Sequence, residues 1–293
     1  KSIWIMNGTN ASIDSLELKG ESMALPLTEI NLHDMMFNYG LRVNMDIVQD
    51  LQCDQIPIVT HIIQDQPQIT LFPWTFFPII SPNDSHIITK KIDPVRCQFP
   101  SSIDTLSNKL IKTVLLQTSN NTKINNTPAL ISLENIDIQP NAKQFNSRNL
   151  ITSVLLEGEF KSVFSNRSHI IETDTKIDVQ TISNPNKMIV ISDGQFIRNQ
   201  FHKNKALPLG FDRNTGKIYG NNEFILNCID YLMDNTAYIQ IRSKNISMRL
   251  LNKSKMKNEK IFWKLFNLIG PILLISFFVF FMVLRRKKKY SKA

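Results

Sequence analysis

The chain reads as an α/β protein built on a mixed, largely parallel sheet and followed by a single C-terminal membrane-spanning helix. Three observations predict this. Stretches with strand character alternate with amphipathic helical stretches. Residues 188–192 (MIVIS) form a continuous β-branched run suited to burial on both faces of a sheet. Residues 265–284 (LFNLIGPILLISFFVFFMVL) carry no charge over the length a helix needs to cross the hydrocarbon core.

The N-terminal elements come first. Residues 2–6 (SIWIM) read as a buried strand and are followed by a polar loop to Leu27. Asn31 is placed to cap a short helix over residues 32–39, with Gly40 at its C-terminal stop. Val43 and Ile47–Val48 resume extended structure, and residues 56–63 read as a strand despite Pro57. Residues 68–80 (QITLFPWTFFPII) concentrate Phe72, Trp74, Phe76 and Phe77 between Pro73 and Pro78. Proline donates no ladder hydrogen bond, so this stretch is an edge strand or an ordered loop. Its aromatics form either a hydrophobic cluster beneath that loop or a partner-docking surface.

Residues 95–99, 111–117 and 151–158 read as strands, with a turn beginning at Pro100, Ser101 and Ser102. Residues 120–127 read as a polar loop, 160–164 as a helical turn and 165–186 as a mobile insertion. The run at 188–192 is closed by Asp193-Gly194, which is a turn signal and also the place where open α/β sheets put ligand or catalytic groups. An amphipathic helix then runs from Asn221 or Asn222 to about Asp234, with Phe224, Ile225, Cys228, Ile229 and Leu232 as its apolar stripe. Residues 238–241 read as a last short strand.

The charge is uneven. The chain carries a formal +9, but residues 285–293 contribute +6 and residues 245–264 contribute +5, leaving the remainder near −2. The basicity belongs to the membrane-flanking ends, where cations meet anionic headgroups, and nucleic acid is not an expected partner. The division expected is an α/β domain over 1–248, a basic stalk over 249–264, the span over 265–284 and a basic tail over 285–293. Trp263 and Lys264 mark one interface of the span; Arg285, Arg286, Lys287, Lys288 and Lys289 mark the other. Both flanks are basic, but the adjacency of the second group favours a cytoplasmic C-terminus with the bulk outside. The chain opens at Lys1 directly on a strand, so a C-terminal portion of a longer protein is expected.

The sequence carries few signs of chemistry. Three cysteines, Cys53, Cys97 and Cys228, show no zinc spacing; a Cys53–Cys97 bridge and three buried thiols are both open. The five histidines form no metal-binding pattern. Thr215-Gly216-Lys217 lacks the upstream glycine and the following hydroxyl residue of a phosphate loop, so it reads as a turn. There is no GxSxG elbow and no GxGxxG. Glu157 and Glu159 share a strand face with no partner evident in the sequence. No cofactor, metal or catalytic residue is expected.

Several stretches together resemble one family. They are NLHDMMFNYGLRVNMDIVQDLQC (31–53), LFPWTFFP (71–78), ITKKIDPVRCQFPSSID (88–104), SVLLEGEFKSVF (153–164), MIVISDGQFIRNQ (188–200) and ALPLGFDRNTGKIYGNNEFILNCIDYLMD (206–234). The chain is similar to the C-terminal part of the GldG family, gliding-motility-associated ABC transporter auxiliary proteins of Bacteroidota. That resemblance implies a Rossmann-like, amidotransferase-related extracytoplasmic domain without catalytic residues. It also implies partners, a GldF-like permease and a GldA-like ATPase, in an ABC-2-like complex at the bacterial inner membrane. A solute-binding receptor and an envelope hydrolase using Asp193 are the alternatives.

Overall fold

The computed structural model describes residues 1–63, 66–82, 85–134, 136–165, 181–234, 236–242 and 260–290. The chain separates into two compact units, Lys1–Lys244 and Asn245–Ala293.

The first unit is organised by a four-stranded sheet of β1 (Ser2–Ile5), β13 (Asn186–Ile191), β12 (Ile151–Gly158) and β9 (Ile111–Gln117), in that spatial order. The apolar run in β13 earns its interior position: Met188, Ile189, Val190 and Ile191 are all buried. Side chains alternate across a strand. Ile189 and Ile191 therefore face one core with Leu155, Leu115, Phe224 and Cys228, and Met188 and Val190 face another with Val154, Leu156 and Met36. Helix α3 (Asn221–Leu232) supplies Phe224, Cys228 and Leu232 to the first face, and α2 (His33–Asn38) supplies Met36 to the second.

The sheet is mixed, not largely parallel. Only β1 and β13 pair in parallel; β12 is antiparallel to both β13 and β9. A parallel neighbour needs a crossover, most often a helix. Here α3 and α4 (Thr236–Arg242) follow the last strand of this sheet, so neither connects two of its strands. Alternation of strand and helix along the chain does not amount to repeated crossover units.

A third core cluster lies among α1 (Ile13–Lys19), the β2–β11 pair (Glu21–Ala24 with Ala129–Ser132), β4 (Asp46–Asp50) and the β5–β6 hairpin (Cys53–Ile63 and Gln66–Ile80). The region read as a polar loop to Leu27 contains α1 and β2. The Ser12 side chain caps α1 by accepting from the Asp14 N–H, and Gly20 ends it at φ 73°. Asn31 does not cap α2; it adopts φ 52°, and the helix starts without a side-chain cap. Residues 120–127 contain a strand, β10 (Thr122–Asn126), paired with β4. Residues 163–165 form a turn, not a helix. Residues 238–241 lie in α4, where Ile239 is buried and Tyr238 is exposed; a pattern this short fits a helix as well as a strand. The insertion read at 165–186 falls mostly outside the described residues.

The proline-bearing stretch is a strand, as one of the two readings has it, but it has a neighbour on each side where an edge strand is expected. β6 pairs with β5 over Gln66–Pro73 and again at Pro78, and with β7 (Val95–Arg96) at Ile79 and Ile80. At Pro78 and Phe76 the carbonyls accept from the Cys97 and Phe99 N–H groups at 2.9 and 3.0 Å. The neighbouring chain therefore uses the acceptors of this edge, and the N–H that Pro78 lacks is not required.

In the second unit, α5 (Lys260–Tyr290) contains a 24-residue segment, Lys264–Lys287, long and apolar enough to cross a membrane. At 1.5 Å per residue it spans about 36 Å, against a hydrocarbon core of about 30 Å. Helix continues past both ends of the segment read as the span, taking in Trp263 and Lys264 on one side and residues 285–290 on the other. Gly270 and Pro271 lie within it.

Candidate functional site

The end of β13 is a closed clasp. Ser192 is fully buried; its hydroxyl donates to the Thr152 carbonyl at 3.1 Å and to the Ser101 carbonyl, and its own carbonyl accepts from the Ser101 N–H at 2.9 Å. Asp193 is also fully buried, and its carboxyl accepts from the Gln98 and Gln195 N–H groups at 2.7 and 2.8 Å. The Gly194 N–H donates to the Asn7 side chain, and a Cβ at Gly194 would sit 2.9 Å from that side chain. Asp193 thus joins β13 to the chain leaving β7, and its oxygens are occupied by backbone donors.

Burial lifts Asp193 from the ordinary 3.8 to about 7, although the Gln98 and Gln195 N–H groups and the Arg96 charge favour its anion. A folded-state value above the unfolded one has a definite sign. Its stabilising effect is full below about 3.8 and is lost as pH rises towards about 7. Asp193→Asn should therefore flatten the pH profile of stability. Between those limits the wild-type chain should lose on the order of 4 kcal/mol relative to the variant, measured from urea midpoints across pH. Parallel profiles would contradict this.

Beside this clasp lies a partly open cleft of about 280 Å³. Its apolar wall is Ile13, Ile56, Ile58 and Leu133, and its polar side is Arg96, Gln98, Arg198, Gln200, Arg213 and Asn214. Asp193 does not line it. Arg96 is the most firmly placed of its cations. The guanidinium Nε meets Asp54 Oδ2 at 2.6 Å, the Asp54 side chain is fully buried, and the Arg96 side chain is 11% exposed. The guanidinium carbon sits 4.9 Å from the centroid of the Phe77 ring. The Tyr219 hydroxyl donates to the other Asp54 oxygen at 2.7 Å.

The far rim is set by the Asp212 turn. Its carboxylate accepts from the Thr215 N–H at 3.0 Å, the Asn214 N–H at 3.3 Å and the Gln200 side chain at 3.3 Å, and also from the Thr215 hydroxyl. Burial alone would raise Asp212, but the Thr215 hydroxyl bond, the Arg96 charge and the other donors outweigh it and hold the carboxyl below the ordinary range. Thr215-Gly216-Lys217 is accordingly a turn, with Gly216 at φ 67°. Arg213 is held by its N–H on Gln200 Oε1 at 2.9 Å, and Arg198 pairs with Asp14 at 2.9 Å.

The residues singled out from sequence fall in three places. Trp74, Phe76 and Phe77 are buried in the third core cluster with Phe99, ring to ring at 5.0 to 6.0 Å, and Phe72 is half-buried. Their rings are core material, and Phe77 reaches the cleft from beneath Arg96. Asp193 lies in the clasp. Trp263, Lys264, Arg285, Arg286, Lys287, Lys288 and Lys289 all lie on α5, where Lys264, Arg285, Arg286 and Lys287 are exposed. Glu157 does have a partner: it accepts from the Tyr231 hydroxyl at 2.9 Å. The cysteines are free thiols, with Cys97 and Cys228 buried.

Sequence reasoning missed Arg96, Asp54 and Tyr219. Arg96 carries the one available signal, a charged residue inside an apolar strand pattern (PVRCQF), which calls for a buried counter-charge. Among the described residues no group of three or more His, Cys, Asp or Glu is placed to hold a metal ion.

The first unit is a mixed α/β domain with a partly open cleft, and the second carries an apolar helix long enough to cross a membrane. The chain belongs to the auxiliary family described as an ABC-type uncharacterized transport system, whose model matches residues 1–228. It is thus an auxiliary component of an ABC-type transport system. No curated protein and no solved structure matches it.

Proposed function

We propose that the chain is a membrane-anchored, non-catalytic auxiliary subunit of an ABC-2-like transporter of the GldG type, associated with gliding motility. Family membership over residues 1–228 carries this reading. The apolar segment Lys264–Lys287 serves as the anchor in the bacterial inner membrane. Five adjacent cations, Arg285 to Lys289, hold the C-terminus in the cytoplasm. The folded unit then stands in the periplasm, where it engages cargo, envelope or a GldF-like permease, while a GldA-like ATPase hydrolyses ATP on the opposite side. The relationship to amidotransferase-like Rossmann domains rests on the parallel β1–β13 pair and on helices covering both faces of the sheet.

Protease added to intact spheroplasts tests the orientation. It should digest the folded unit and leave a short fragment carrying the basic end. Survival of the folded unit with loss of a C-terminal epitope tag would reverse the arrangement.

A further inference from the structure

We infer that the cleft is a binding site for a small organic carboxylate, with Arg96 as its anchor. Asp54 engages the inner nitrogen, Nε, and Phe77 covers one face of the guanidinium. No described residue accepts from its two terminal nitrogens, although the side chain lines the cleft. A planar donor pair fixed by a buried carboxylate and an aromatic ring is preorganised for bidentate recognition of a carboxylate. Orientation is already paid for by the fold, so little further ordering is needed on binding.

The rest of the cleft sets the ligand class. Arg213 lies exposed at its rim and draws anions towards it, while the charge of Arg198 is paired with Asp14, which also lines the cleft. Ile13, Ile56, Ile58 and Leu133 give it an apolar wall that an inorganic anion leaves unused and a hydrocarbon body covers. A volume of about 280 Å³ lies just below the usual range for small-molecule sites, which suits a compact acid. The site lies wholly in the first unit. It stands apart from the anchoring and partner proposals, and its failure would leave both untouched.

The test is calorimetric titration of the full chain in non-ionic detergent. The probes are butyrate, hexanoate and phenylacetate, their primary amides, and inorganic phosphate. The carboxylates should bind, more tightly as the hydrocarbon body grows, and the amides should not. Because Arg96→Gln strands the Asp54 charge, the second variant is the double change Asp54→Asn with Arg96→Gln. It removes both charges together and should weaken the best carboxylate by ~10-fold to 100-fold. Arg213→Gln, at the exposed rim, should weaken it by only ~2-fold to 5-fold. Three outcomes overturn the assignment: no carboxylate binding, amides binding as well as acids, or undiminished binding by a folded double variant. Phosphate binding as tightly as the best carboxylate would also overturn it, since the apolar wall would then play no part.

Discussion

Asp54→Ala should destabilise the folded unit by about 3–5 kcal/mol, the usual cost of leaving one member of a buried ion pair behind. The Asp54 side chain is fully buried and that of Arg96 nearly so, so water cannot replace the lost carboxylate. The Tyr219 hydroxyl, itself on a buried residue, loses its acceptor in the same step. Asp54→Asn keeps an acceptor for Tyr219 and should cost less than the alanine change. Removing Arg96 as well should recover part of the loss, because no unpaired charge remains. Urea midpoints followed by tryptophan fluorescence report these differences, since Trp74 is buried in the neighbouring cluster. A loss below about 1 kcal/mol for Asp54→Ala would mean that the pair is solvated.

Phe224→Ala should cost a similar 3–5 kcal/mol, by a different route. Phe224 is fully buried on α3 and meets Phe196 edge-on at 5.6 Å, within the cluster containing Leu155 and Ile189. Truncation removes both the transfer free energy and the packing of the helix on the sheet. Ile229 lies on the same helix but is 39% exposed, so Ile229→Ala should cost well under half as much. Equal losses at the two positions would show that α3 is not docked through Phe224. The same urea unfolding measurement decides it.

The strands that carry the sheet were legible because their patterns are one-sided in meaning. The runs at 111–117 and 151–158 match β9 and β12 residue for residue, and the run at 188–192 sits in the interior of the sheet. The direction of pairing was not legible. It depends on which strand the chain returns to, and the helices that suggested crossovers lie elsewhere. The first helix was hidden by polarity: Ser12, Leu16 and Gly20 mark cap, core contact and stop, but the residues between are mostly polar or exposed. The strand at 122–126 was hidden in the same way, since a short polar strand pairing with β4 shows no apolar alternation.

Of the candidate site, the sequence showed the turn and the aromatic cluster but not the cleft. Asp193-Gly194 and the aromatic run stand out as residue types, yet they serve as a clasp and a core. Arg96, Asp54 and Tyr219 come from distant stretches, and only the fold brings them together. The apolar wall is equally scattered, drawn from α1, β5 and the segment after β11. Long-range juxtaposition of this kind leaves no spacing rule along the chain.

The central claim, that this is an auxiliary subunit of an ABC transport system, is tested most directly by affinity purification. The tagged full chain is expressed at its native level and extracted from source membranes in mild detergent. The account predicts recovery of a polytopic permease and an ATP-binding subunit in near-stoichiometric amounts. Recovery of the chain without either one, from membranes that contain both, would contradict it.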